Sequence, residues 1–271
     1  MKPLSVGVIG LGAIGSRLVE ILGREFSKQA RVRFLCDLKK ERIAEIKRKW
    51  APAAKAISWQ DGVKQADLVI ESAAQEIALS VAEKSLRENK QVLILSVGGL
   101  LISDNGLQSV LAKTKGRLWI PSGAIAGVDA VLAANQGKVR QVTLTTRKPL
   151  AGLEGAPYLR QKNIQLASIK EPTLIFEGNA SQAIAAFPRN VNVAATLALA
   201  GVGAKKTRIR IFTSPTYRFN QHEVEIEGDF GRIHTEVENF PTPDNPRTSQ
   251  LAILSAVATL RKIFGHLHIG T

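Results

Sequence analysis

The sequence predicts an α/β chain in two parts: an N-terminal domain on a parallel sheet, then an α+β domain on a mixed or antiparallel sheet. Three observations carry that prediction. A glycine-rich turn, Gly10-Leu11-Gly12-Ala13-Ile14-Gly15, joins an apolar run to a helical pattern. Apolar runs then alternate with helix-period segments as far as Ile120. Beyond Pro121, strand patterns outnumber helical ones.

Each element has its own signal. Leu4 to Ile9 is a largely apolar run that reads as a buried strand, and Ile14, Leu18, Ile21 and Leu22 then fall on one face of a helix. Val32 to Cys36 is a second strand, closed by Asp37. Leu68 to Glu71 is a third, followed by a helix marked by Ile77, Val81, Ala82 and Leu86. Gln91 to Leu95 and Arg117 to Ile120 are further strands, with a helical pattern over 107–113 between them. Such alternation implies parallel strands joined by right-handed crossovers, with ligands beyond the carboxyl ends of the strands. Those ends carry Gly10, Asp37, Ser72-Ala73-Ala74 and Ser96-Val97-Gly98-Gly99.

In the second part Val139 to Arg147 is a strand, Asn190 to Ala200 an alanine-rich helix, and Thr207 to Phe212 a strand. His222 to Glu227 and Gly231 to Glu238 flank Gly228-Asp229 as a hairpin. Phe240 to Arg247 holds Pro241, Pro243 and Pro246 and reads as a connecting loop. Thr248 or Ser249 then caps a last helix carrying Leu251, Leu254, Val257, Ala258 and Leu260. The expected division is 1–122 for the first domain, with the C-terminal helix region 241–271 packing back on it, and 123–240 for an α+β substrate, catalytic and oligomerisation domain.

The glycine turn points to a dinucleotide, in the manner of a Rossmann domain. Glycine there serves a tight turn, close approach of backbone to a pyrophosphate, and close helix–strand packing, and the helix start offers N–H groups to the phosphates. The cofactor-binding candidates are Gly10, Gly12, Ala13, Ile14, Gly15 and Asp37. A carboxylate at Asp37 accepts bonds from both ribose hydroxyls and repels a 2′-phosphate, whereas Lys39 and Lys40 would attract one, so the cofactor is NAD or NADP. The plainer alternative is a turn that only joins strand to helix.

Composition narrows the classes. The 271 residues are 45% apolar, enough for a sizeable core. No apolar segment is long enough to cross a bilayer, and Met1-Lys2-Pro3 leads straight into a strand, which points to a cytoplasmic protein with no membrane partner. Cys36 is the single cysteine, so no internal disulfide forms, and no Cys/His spacing suggests a metal. The net charge of +14 raises nucleic acid as a partner. Yet Lys206, Arg208 and Arg210 alternate with Thr207, Ile209 and Ile211 as the solvated side of a strand, and aromatic platforms are lacking, which argues against it.

A nicotinamide enzyme needs a group that handles a proton, and histidine suits this near neutral pH. His266 and His268 lie in the tail, and His234 shares an exposed strand face with Arg232 and Glu236. His222, opening a strand after a turn-rich stretch, is the catalytic candidate, against a hydrogen-bonded structural role. Arg147, Lys148 and Arg189 are candidate cations for an anionic substrate, against ordinary surface charge. Asn190 is a further substrate-binding candidate or only a helix cap, and Asn192, within the first turn, is more plausibly a ligand contact.

Taken together, Gly10 to Gly15, Ser96-Val97-Gly98-Gly99-Leu100, Ile120 to Gly127, Phe187 to Thr196, Asn220-Gln221-His222-Glu223 and Asn245 to Ser249 resemble the L-aspartate dehydrogenases. The segments span nearly the whole chain in the family's order; 162–177 carries no family motif. The resemblance implies NAD(P)-dependent oxidation of a dicarboxylic amino acid, L-aspartate, to iminoaspartate, which water converts to oxaloacetate and ammonia, or the reverse amination. It also implies a supply of iminoaspartate to NAD biosynthesis, a homodimer or larger assembly, and a second domain similar to that of dihydrodipicolinate reductase. It puts the active-site histidine at His222 and cofactor contacts at Ala126 and Asn192. The rival readings are a related two-domain reductase or dehydrogenase with another substrate, and a non-catalytic NAD(P) redox sensor.

Overall fold

A computed structural model describes residues 2–102, 106–188, 191–242 and 245–271. They form two compact units, Met1–Pro121 with Ile253–His268, and Ser122–Ala252 with Ile269–Thr271.

The first unit is a six-stranded parallel sheet of β1 (Leu4–Ile9), β2 (Ala30–Cys36), β3 (Lys55–Ala56), β4 (Leu68–Glu71), β5 (Gln91–Ile94) and β6 (Arg117–Trp119). The spatial order is β3-β2-β1-β4-β5-β6, a doubly wound sheet whose order reverses between β1 and β4. Its crossovers include α1 (Ala13–Arg24), α2 (Lys40–Trp50), the short α3 (Trp59–Gly62), α4 (Gln75–Arg87) and α5 (Gly106–Leu111). All four residues of β4 are buried, as a central parallel strand covered on both faces requires. Helix α1 turns Leu18, Val19, Ile21 and Leu22 into a core shared with Val6 and Val8 of β1. Ile253, Ala256, Val257 and Leu260 of the chain's last helix join that core. At Gly7 a side chain would collide with the Phe34 ring, 1.8 Å from the Cβ position, so the Phe34 ring of β2 packs directly on the β1 backbone.

The second unit has α6 (Val128–Ala134), β7 (Val139–Pro149), α7 (Pro157–Gln161), β8 (Thr173–Asn179), α8 (Ala180–Ala186), α9 (Asn192–Ala200), β9 (Thr207–Ser214), β10 (Asn220–Gly228) and β11 (Gly231–Asn239). The sheet order is β11-β10-β7-β9-β8. It is mixed: β7 and β9 run parallel and the other neighbours antiparallel. One face is apolar along most of its length, with Val142, Leu144, Ile209, Ile211, Val224 and Ile226 buried. The other face carries charge, including the Arg147–Glu223, Arg208–Glu177 and Arg232–Glu225 pairs. Asn179 opens α8 with a reciprocal capping box to Gln182.

The proline-rich stretch is not a plain loop. β12 (Pro241–Thr242) pairs with β13 (Asn245–Ser249) as a two-stranded ribbon. Prolines are tolerated there because such a ribbon has open edges that need no further donors. The final helix α10 occupies Gln250–Phe264, a shorter span than the whole region after 240. No described helix is long and apolar enough to cross a membrane.

Candidate active site

The turn between β1 and α1 owes its shape to three glycines with different duties. Gly10 has φ +83°, and a Cβ there would stand 2.5 Å from the Ala73 Cα. A Cβ on Gly15 would stand 1.9 Å from the Gly10 carbonyl oxygen, so α1 presses directly on the turn. Around Gly12 nothing lies within 4 Å of the Cβ position, which leaves its backbone open to a ligand. No side chain caps α1 and no acid lies in its first turn, so the amides at Ala13 and Ile14 face no competing anion. This is the open, amide-lined cradle that a pyrophosphate fits.

Asp37, at the carboxyl end of β2, reaches back to the same turn. Its Oδ2 accepts from the Leu11 N–H at 2.6 Å, and its Oδ1 accepts from the Lys39 N–H at 2.8 Å. Arg42 and Ser16 each donate to the Leu11 carbonyl at 2.7 Å. The Leu11 peptide is thus gripped from both sides. An ionised carboxylate has about four acceptor positions, so Asp37 retains capacity for ribose hydroxyls. Beside it is a cavity of about 540 Å³, lined by Cys36, Lys40, Ile43, Lys47 and Ile57 among others. Burial pushes the Cys36 thiol up, away from reactivity.

The strand ends next to this turn are braced by Glu71, a residue that sequence reasoning passed over. It is fully buried, and its oxygens accept from the N–H groups of Ala73, Ala74 and Ser96 and from the Ser96 hydroxyl, at 2.8 to 3.2 Å. Burial raises its pKa and these donors oppose the rise. Ser72 donates to the Gly10 carbonyl at 2.8 Å. At Gly98 and Gly99 a Cβ would meet Gln75 at 2.3 and 2.2 Å, so the segment after β5 lies against the start of α4. The only sequence sign of this brace is an acid closing an otherwise apolar strand.

In the second unit the apolar sheet face turns polar at one end. Thr146 and Lys148 of β7, His222 of β10 and Thr213 of β9 are all buried there. Register explains the meeting: His222 is the Cα partner of Thr146, and Lys148 that of Thr213. Side chains directly across a ladder share a face, as do those two residues apart. His222 is 4% exposed, and its Nδ1 lies 3.0 Å from the Thr146 hydroxyl oxygen. Burial and then the Lys148 charge lower the imidazole pKa to about 3, so the ring is neutral at working pH. Burial lowers the Lys148 ammonium to about 8. Thr146 is the second residue that the sequence did not single out; its burial beside His222 depends on antiparallel register.

The remaining candidates are dispersed. Arg147 faces the opposite side of β7 and is held by Glu223 at 2.8 Å. Ala126 is exposed, and its carbonyl accepts from Thr235 at 3.3 Å, just before Gly127 (φ +82°) opens α6. Asn192 is exposed as the first residue of α9, not within a helix begun at 190. The two segments are neighbours, since a Cβ on Gly123 would touch Val193 at 3.6 Å. Asn239, itself bonded to Ser249 at 2.6 Å, donates to the Ala124 carbonyl at 3.0 Å and steadies this loop. Arg189 and Asn190 lie outside the described residues. Glu223, Glu225 and His234 bring metal-type atoms within 4.8 Å of one another on the charged face, but arginines already pair with both acids.

A doubly wound sheet with an open amide cradle and a ribose-type acid defines a nicotinamide-dinucleotide oxidoreductase, and comparison with known proteins narrows the class. Residues 10–118 match the family described as homoserine dehydrogenase, NAD binding domain, and residues 129–263 that described as aspartate dehydrogenase, C-terminal. The L-aspartate dehydrogenase of Methanosarcina barkeri is 40% identical, over 99% of this chain and 100% of that one. That of Bradyrhizobium diazoefficiens is 36% identical, over 99% and 94%. The crystal structure of aspartate dehydrogenase from Thermotoga maritima is similar with a TM-score of 0.75 at 25% identity, over 99% and 100% of the two chains. Scyllo-inositol dehydrogenase from Lactobacillus casei, solved with NAD(H) and scyllo-inositol, shares the fold alone: its TM-score is 0.54 at 13% identity, over 97% and 89%. The chain belongs to the L-aspartate dehydrogenase family.

Proposed function

We propose that this chain oxidises L-aspartate to iminoaspartate with NAD or NADP, after which water yields oxaloacetate and ammonia, or runs the amination in reverse. One observation carries the reading beyond family membership. The polar end of the second unit's sheet face buries one neutral imidazole and one ammonium on the same face, and no acid among the described residues shifts either. That pairing suits an anionic substrate that must lose a proton.

The bound dinucleotide supplies the hydride acceptor. The chain's own residues do the rest. Amides of Ala13 and Ile14 would hold the diphosphate, Gly12 would admit it, and Asp37 would take the ribose. The family resemblance assigns further cofactor contacts to Ala126 and Asn192. With Nδ1–H donated to the Thr146 hydroxyl, His222 presents the Nε2 lone pair as general base. It takes a proton from the substrate ammonium, so that the amine lone pair can form the imine as hydride leaves Cα. Once that proton has passed to solvent, Nε2 deprotonates the water that adds to the imine carbon. Fixing the carboxylates keeps Cα at attack distance, and such positioning is a large part of enzymatic rate.

A dehydrogenase assay across a panel of amino acids with both cofactors tests this. The expected result is turnover of L-aspartate far above that of the others. NADH binding without turnover of any amino acid would mark a redox sensor instead. The resemblance also supports a homodimer, which light scattering of the purified chain reads directly.

A further inference from the structure

Among the described lysines and arginines, only Lys148 is buried, at 6% exposure. It stands at the polar end of the inner face, two residues along β7 from Thr146, and Thr146 holds His222. Thr213 fixes its backbone by donating to the Lys148 carbonyl at 2.8 Å. The stem passes the backbone of Gly152, where a Cβ would meet Lys148 Cβ and Cδ at 3.6 and 3.8 Å and the Asn220 amide oxygen at 3.8 Å. These neighbours hold the side chain in place but bring no charge to it. No carboxylate among the described residues forms an ion pair with Lys148, and burial alone accounts for its lowered pKa. The adjacent cation, Arg147, already has Glu223 on the other face. A buried ammonium without a counter-ion is unfavourable, and folds normally avoid one or pair it.

We infer that the Lys148 ammonium is the seat for a carboxylate of the substrate, holding it near His222 and completing with the ligand the ion pair that the described residues leave open. This rests on the dicarboxylic amino acid proposed above. It has a consequence for the base. Lys148 is the one charge that lowers the His222 pKa, after burial itself. No other charge among the described residues shifts the imidazole; its neighbours include the Thr146 hydroxyl on β7 and, as Cα partner on β11, Val237. A carboxylate seated on Lys148 cancels that charge, so His222 becomes a stronger base only when substrate is in place.

The test compares wild type with Lys148→Met, using succinate and malonate as unreactive dicarboxylate probes. Wild type should gain thermal stability with either probe, and Lys148→Met should not. Lys148→Met should bind NADH as wild type does, and its KM for aspartate should rise about 30- to 1000-fold. Its Tm without ligand should exceed that of wild type, because an unpaired buried charge is gone; a merely structural lysine would give the opposite. The acid limb of kcat/KM should move to higher pH in the variant. Lys148→Gln serves for the same comparison if the methionine variant does not fold. A variant that keeps the succinate shift and an unchanged KM overturns the inference. Wild type that gains stability with dicarboxylates yet turns over no aspartate leaves the seat standing and overturns the reaction instead.

Discussion

The glycine turn of the first unit offers a ligand bare backbone; the polar end of the second unit's sheet offers side chains. The turn works by what is missing. Gly12 has open space around it, Gly15 lets α1 touch the Gly10 carbonyl, and no side chain competes at the helix start. The sheet site works by what is buried: Thr146, Lys148 and His222, each polar and each nearly closed to solvent. A backbone site tolerates many side chains around it but no new Cβ atom in the wrong place. A buried polar site tolerates the loss of a hydrogen-bonding partner poorly, as between Thr146 and His222.

Adding methyl groups to the turn should have the largest effect. Gly15→Val places atoms where the Cβ position is already 1.9 Å from a carbonyl oxygen, so the first unit should lose its fold, read as a collapsed Tm. Gly12→Val meets nothing within 4 Å and has an extended backbone, so Tm should hold while NADH affinity falls about 100-fold or more by filling the phosphate's space. Equal NADH affinity in Gly12→Val and wild type would show that the diphosphate lies elsewhere.

For the Thr146 hydroxyl of the second site the expected effect is smaller. Thr146→Val keeps the volume but leaves the buried His222 Nδ1 without a partner, which should lower stability by about 1–3 kcal/mol. Turnover should fall about tenfold, as the ring loses its tautomer bias, and Thr146→Ser should restore it. A Thr146→Val enzyme with wild-type turnover would remove that hydroxyl from the mechanism.

The smallest effect is on pH. The His222 pKa is about 3 in the folded chain against an ordinary 6.5. Between those values the unfolded chain binds the proton and the folded chain does not, so stability rises with pH across that window and is lost as pH falls. Unfolding at pH 6.5 and pH 5 should differ through this group by about 1.5 kcal/mol, and the difference should shrink by that amount in His222→Ala. An identical difference in both proteins would show that His222 is not held neutral.

How much of this was legible in the sequence follows the same division. The parallel sheet and its glycine turn are legible because their determinants are local: an apolar run, glycines at fixed spacing, then Ile14, Leu18, Ile21 and Leu22 at helical spacing. The mixed second sheet is legible only as strand content, because β7 beside both β9 and β10 is a matter of long-range pairing. The same cause hid Thr146 and made Arg147 and Lys148 look alike. They are adjacent in sequence, yet alternation sends one to an ion pair on the charged face and buries the other near His222. Glu71 was hidden because its four donors come from the segments after two different strands. The proline-rich ribbon of β12 and β13 was misread because prolines suggest a loop wherever the pairing partner is unknown.

The most direct test compares His222→Ala with wild type in two assays, NADH titration and aspartate turnover. NADH affinity should stay unchanged within about twofold, and turnover should fall by about 10²- to 10⁴-fold. Full aspartate turnover in His222→Ala would contradict His222 as the general base.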